Sequence, residues 1–82
     1  MSRTQEIAGH ILNILNGWDG ELADEAVIHA QVNNRVIPAA LLSEFHDAIE
    51  ICQQAGWITG VMSPLRGTRW AITDKGRATR HQ

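Results

Sequence analysis

His46, Asp47 and Glu50 lie within five consecutive positions, and on a helix they would share one face. An imidazole beside two carboxylates is the raw material of general acid/base chemistry, and His46 and Glu50, four apart, could hold one edge of a metal ion. Neither use is supported by what surrounds them. Proton transfer needs a water-poor concavity that moves a pKa towards neutrality, and nothing in the neighbouring residues builds one. A closed metal site needs about four ligands, yet His10, His29 and His81 stand at no zinc-binding spacing. Cys52 falls among apolar positions and reads as a small core residue. Gly17 and Gly20 flank Trp18-Asp19 without the Gly-Lys-Ser/Thr ending of a phosphate-cradling loop. The expectation is a protein without metal or cofactor, and not an enzyme.

The charges are more informative. The net charge of −2 hides a division along the chain. Residues 1 to 65 carry two basic groups against eight acidic ones, a net −6, whereas residues 66 to 82 carry five against one, a net +4. From Thr59 to Ile72 there is no acidic residue, and Arg66 and Arg69 bracket Gly67, with Lys75, Arg77 and Arg80 following. That is phosphate-binding chemistry. Between Arg35 and Arg66 there is no Lys or Arg, and the polar helical face there is Ala39, Ser43, His46, Asp47, Glu50, Gln53 and Gln54. Two surfaces follow. A basic one, of Arg66, Arg69, Lys75, Arg77 and Arg80 with Ser43 and His46 near a helix start, suits double-stranded DNA. An acidic one, of His46, Asp47, Glu50 and Gln54, suits a basic protein partner.

The elements that must position these groups are legible in outline. Eighty-two residues make one domain, which buries only about 60–65% of its unfolded surface and has no room for a large internal cavity. With 44% hydrophobic and 20% charged residues, the composition excludes a disordered or fibrous chain. Ile7, Ile11, Ile14 and Leu15 form one stripe of a first helix, residues 4 to 16, for which Ser2 and Gln5 have capping-box spacing. Leu12 lies off that stripe. A second, shorter helix is expected over residues 25 to 33 behind Asp24 as N-cap, and a third over 38 to 55, opened by Pro38 and closed by Gly56, with Leu41, Phe45, Ala48, Ile49 and Cys52 on its buried face. Residues 57 to 73 read as a hairpin in which Trp70 and Ile72 face inward and Arg69, Ala71 and Thr73 outward. Trp18 and Trp70 are expected to fill core between the first helix and the hairpin, and Trp57 to join them, the alternative being an exposed interface anchor. Thr73 would cap a last helical turn, leaving residues 74 to 82 a short turn and frayed tail. No apolar run approaches the roughly 18 residues of a bilayer span, the amphipathic start is no signal segment, and a lone cysteine fits a reducing compartment. A cytoplasmic protein with no membrane partner is expected.

Three helices followed by a hairpin is the order of the winged helix-turn-helix superfamily, and particular residues agree. Ala55-Gly56-Trp57-Ile58 resembles the glycine, bulky apolar, isoleucine exit from the third helix, and Trp70-Ala71-Ile72-Thr73-Asp74-Lys75-Gly76-Arg77 is similar to the x-x-L-T-x-x-G-R sequence with which many bacterial members leave the wing. The resemblance implies an α+β fold, a three-helix core followed by a two-stranded β-hairpin wing, in a short bacterial or phage-type protein. In that superfamily the third helix commonly enters the major groove and the wing touches backbone or minor groove. Here Asp47 and Glu50 stand where phosphate would approach, which departs from the pattern. The implied function is a DNA-binding transcriptional regulator, expected to act as a homodimer, that grips mainly through wing and tail. The alternative is a protein-interaction module that uses the acidic face of the third helix.

Overall fold

A computed structural model describes residues 2–80, with the backbone alone described at Arg80; His81 and the end of the expected tail lie outside the described residues. The architecture is α+β, in the order α1 (Arg3–Gly17), β1 (Ala23–Asp24), α2 (Glu25–Asn33), α3 (Leu42–Gln54), β2 (Ile58–Ser63), β3 (Gly67–Ile72) and α4 (Asp74–Arg80).

The capping box predicted for α1 is present: the Gln5 amide donates to Ser2 Oγ at 3.2 Å, and the Ser2 amide to Gln5 Oε1 at 3.3 Å. Its stripe of Ile7, Ile11, Ile14 and Leu15 is buried. Leu12, off that stripe, is only 5% exposed because Ile51, Trp57 and Thr79 of the same chain line the groove beside it. The α2 boundaries are as expected, with Ile28 and Val32 turned inward.

The third helix begins four residues later than its proline suggests. Residues from Ile37 to Leu41 form a non-helical link: the Ala40 amide donates to Asn33 Oδ1 at 2.9 Å, and the Arg3 guanidinium donates to the Pro38 carbonyl. Glu44 accepts from the Leu41 amide at 3.0 Å and fixes the helix start at Leu42. Leu41, expected on the buried face, is 67% exposed. Phe45, Ala48, Ile49 and Cys52 are buried as expected, and Gly56, at φ +79°, ends the helix.

The sheet has three strands, where the sequence suggested two. It is antiparallel in the order β1-β3-β2, so β3 is central. The two residues of β1 are too few to show alternation, and their strand character comes only from pairing with β3, Ala23 opposite Trp70 and Asp24 opposite Arg69. On the other side Gly60 faces Trp70 and Val61 faces Arg69. Trp70 and Ile72 join the core as predicted. Ala71, assigned outward, is buried as well. Gly60 has a packing reason: a Cβ there would stand 2.6 Å from the Trp70 ring.

The expected turn after the hairpin is the helix α4, which continues to Arg80. Thr73 makes the junction. Its hydroxyl donates to the Gly56 carbonyl at 2.6 Å and accepts from the Gly76 amide at 3.1 Å, so one side chain caps α4 and ties it to the end of α3. Among the described residues, no helix is long and apolar enough to cross a membrane.

Truncating Trp70 to Ala should remove about 3–5 kcal/mol, a large part of the total in so small a domain. Gly60→Ala should cost about 1–3 kcal/mol by overpacking. Urea denaturation followed by circular dichroism measures both; unchanged midpoints would contradict the seating of the indole on β2.

Candidate nucleic-acid interface

The hairpin tip is Pro64-Leu65-Arg66, closed where Ser63 pairs with Gly67. Gly67 takes φ +76°, and a Cβ there would meet nothing within 4 Å, so the requirement for glycine is conformational. Arg66 is exposed at the tip. Arg69 projects from the sheet face opposite Trp70, beside its strand neighbours Val61 and Asp24. It is half-buried, and its Nε is shielded without a hydrogen-bond partner. Among the described residues, no carboxylate lies within ion-pair distance of Arg66 or Arg69.

The other basic residues are elsewhere. Lys75 lies over Gly56, its Cδ 3.6 Å from where a Cβ would stand, and sets its ammonium near the carbonyl end of α3. The Arg77 guanidinium covers Gly20 in the turn after α1 and stands 3.7 Å from Asp74 Oδ1. Both flank the end of β3 opposite the tip. The five steps from Gly67 to Ile72 span roughly 17 Å. The structure therefore brings Arg66 and Arg69 onto one hairpin and separates them from Lys75 and Arg77. The Arg80 side chain lies outside the described residues.

Ser43 and His46 are exposed on the first turns of α3. His46 Nε2 is 3.0 Å from Glu25 Oε1 on α2, and Glu50 accepts from Gln54 Nε2 at 3.0 Å, so the i, i+4 pair of His46 and Glu50 is not the one that forms. Asp47 is exposed beside them. Glu25 extends the acidic face onto α2, which sequence reasoning missed. The signal was present in Asp24-Glu25 at the helix start, but its partner is 21 positions away.

Other titratable groups serve the fold. Glu44 is held below the usual carboxylate range chiefly by the Leu41 amide, against some desolvation, with Arg3 at 2.8 Å adding to the lowering. Burial pushes the Cys52 thiol up to about 12, and its Sγ donates weakly to the Ala8 carbonyl. Among the described residues, no three His, Cys, Asp or Glu side chains converge as metal ligands would.

Cys52 should be inert to a disulfide reagent at pH 8 in the folded protein and react fully in denaturant, because the thiolate is the nucleophile. Since its folded pKa lies above the ordinary 9.0, its stabilising contribution is complete below that value and is lost as pH rises towards about 12. Rapid stoichiometric labelling without denaturant would contradict this burial.

The chain matches no family model, no curated protein and no solved structure.

Proposed function

We propose that this protein is a winged-helix DNA-binding protein, a transcriptional regulator that holds the duplex mainly through its hairpin. The order of elements supports the fold: β1 falls between the first two helices and pairs with the hairpin that follows the third. The observation that carries the function is the contrast between two surfaces. Among the described residues, Arg66 and Arg69 stand without an ion-pair partner, on a hairpin lacking any acidic residue, whereas the exposed face of α3 presents Asp47 and Glu50.

The consequence for recognition is specific. A helix bearing carboxylates is repelled by phosphate as it approaches a groove, so it adds little affinity. Guanidiniums on the hairpin reach the backbone or the minor groove, where sequence is read poorly. Binding is then weakly sequence-specific and strongly dependent on salt. Ser43 and His46, near the start of α3, are the groups of that helix placed for a polar contact.

Two phosphates neutralised by Arg66 and Arg69 give a slope of log K against log salt of about −2 per protomer, doubled in a dimer. Arg66→Ala with Arg69→Ala should remove most of that slope with little change in thermal stability. Fluorescence anisotropy of labelled duplex from low to physiological salt measures it; absence of binding at low salt would overturn the reading.

A further inference from the structure

The N-terminal part of α2 and the first turns of α3 enclose a cleft of about 220 Å³, lined by Glu25, Ala26 and His29 on one side and Leu42, Phe45 and His46 on the other. Its inner wall is fixed. The Phe45 ring stacks on His29 with centroids 4.7 Å apart, and His29 Nε2 donates to the Ala40 carbonyl at 2.8 Å. Its rim is charged: the Glu25 carboxylate stands at the mouth, met by His46, which is half exposed. Asp47 and Glu50 are exposed on α3, and among the described residues no Lys or Arg lines the cleft. Leu42 is 56% exposed at its edge, more than the core of this chain requires.

An apolar slot ending in a carboxylate fits one kind of side chain, a long aliphatic stem with a cationic head. The stem would lie on the exposed Ala26 and Leu42, above the buried Phe45, and the head would meet Glu25, with His46 turning aside or stacking on it. Arginine suits the site better than lysine, because its planar guanidinium accepts a bidentate carboxylate and stacks on imidazole. Asp47 and Glu50 extend the negative field outward and steer a basic segment inward. The same field repels nucleic acid.

We propose that the α2–α3 cleft is a docking site for a basic, arginine-bearing segment of a partner protein. The site lies apart from the hairpin, since neither Arg66 nor Arg69 contributes to it, and it shares only His46 with the contacts proposed for DNA. It gives the acidic face of α3 a role that phosphate contacts cannot supply.

The test uses the full chain and a labelled ten-residue peptide of alanine and leucine carrying two arginines, with its citrulline counterpart as the uncharged isostere. Anisotropy at physiological salt should show saturable binding of the arginine peptide and at least about tenfold weaker binding of the citrulline one. Glu25→Gln should weaken the arginine peptide by about tenfold or more, as should Leu42→Ser, which alters an exposed side chain and spares the core. Asp47→Asn with Glu50→Gln should reduce the salt dependence, while Arg66→Ala with Arg69→Ala should leave peptide binding unchanged. Equal binding of the two peptides, or of wild type and Glu25→Gln, would overturn the proposal. Self-association abolished by Glu25→Gln would overturn it in favour of a second copy as occupant. Duplex binding that persists while the peptide fails would sink this site alone.

Discussion

The indole of Trp70 is the contact on which the arrangement depends. It sits on the central strand, opposite Ala23 on one side and Gly60 on the other, and its six-membered ring covers the space a side chain at Gly60 would fill. Because the strands run antiparallel with a two-residue period, seating Trp70 inward fixes Arg69 outward and places Arg66 at the tip. One buried ring thus sets the register that aims the hairpin's cations. Its own N–H has no partner among the described residues, a cost that the area it buries offsets.

The second constraint is the junction at Thr73. One hydroxyl joins the end of α3 to the start of α4, and the Cβ-free Gly76 lets the new helix approach the Trp57 carbonyl and Ile72. This brings Lys75 over the end of α3 and Arg77 over the turn after α1. A run of basic residues that looks continuous in the chain is thereby divided between two tasks. Lys75 and Arg77 cover glycine-containing turns, and only Arg66 and Arg69 remain on the hairpin.

How much of this was legible depended on whether a feature is local. The α1 capping box, the buried face from Phe45 to Cys52, the positive φ at Gly56 and the inward Trp70 each rest on a few neighbouring residues, and the sequence discloses them. The start of α3 was misread because Pro38 and Glu44 both fit a helix start, and only the folded link, held by Asn33 and Arg3, selects Glu44. The strand β1 was invisible because two residues have no period. The same holds at the candidate sites. Arg66 and Arg69 are neighbours in sequence and in space, whereas the distance to Arg77 and the pairing of His46 with Glu25 are products of packing.

The proposed anchor for DNA is the hairpin, not α3. The most direct measurement is the titration of isotope-labelled protein with a short duplex, following backbone amide shifts residue by residue. The largest shifts are expected at Arg66, Gly67 and Arg69, with Asp47 and Glu50 nearly unmoved. Largest shifts along the exposed face of α3, with a silent hairpin, would contradict it.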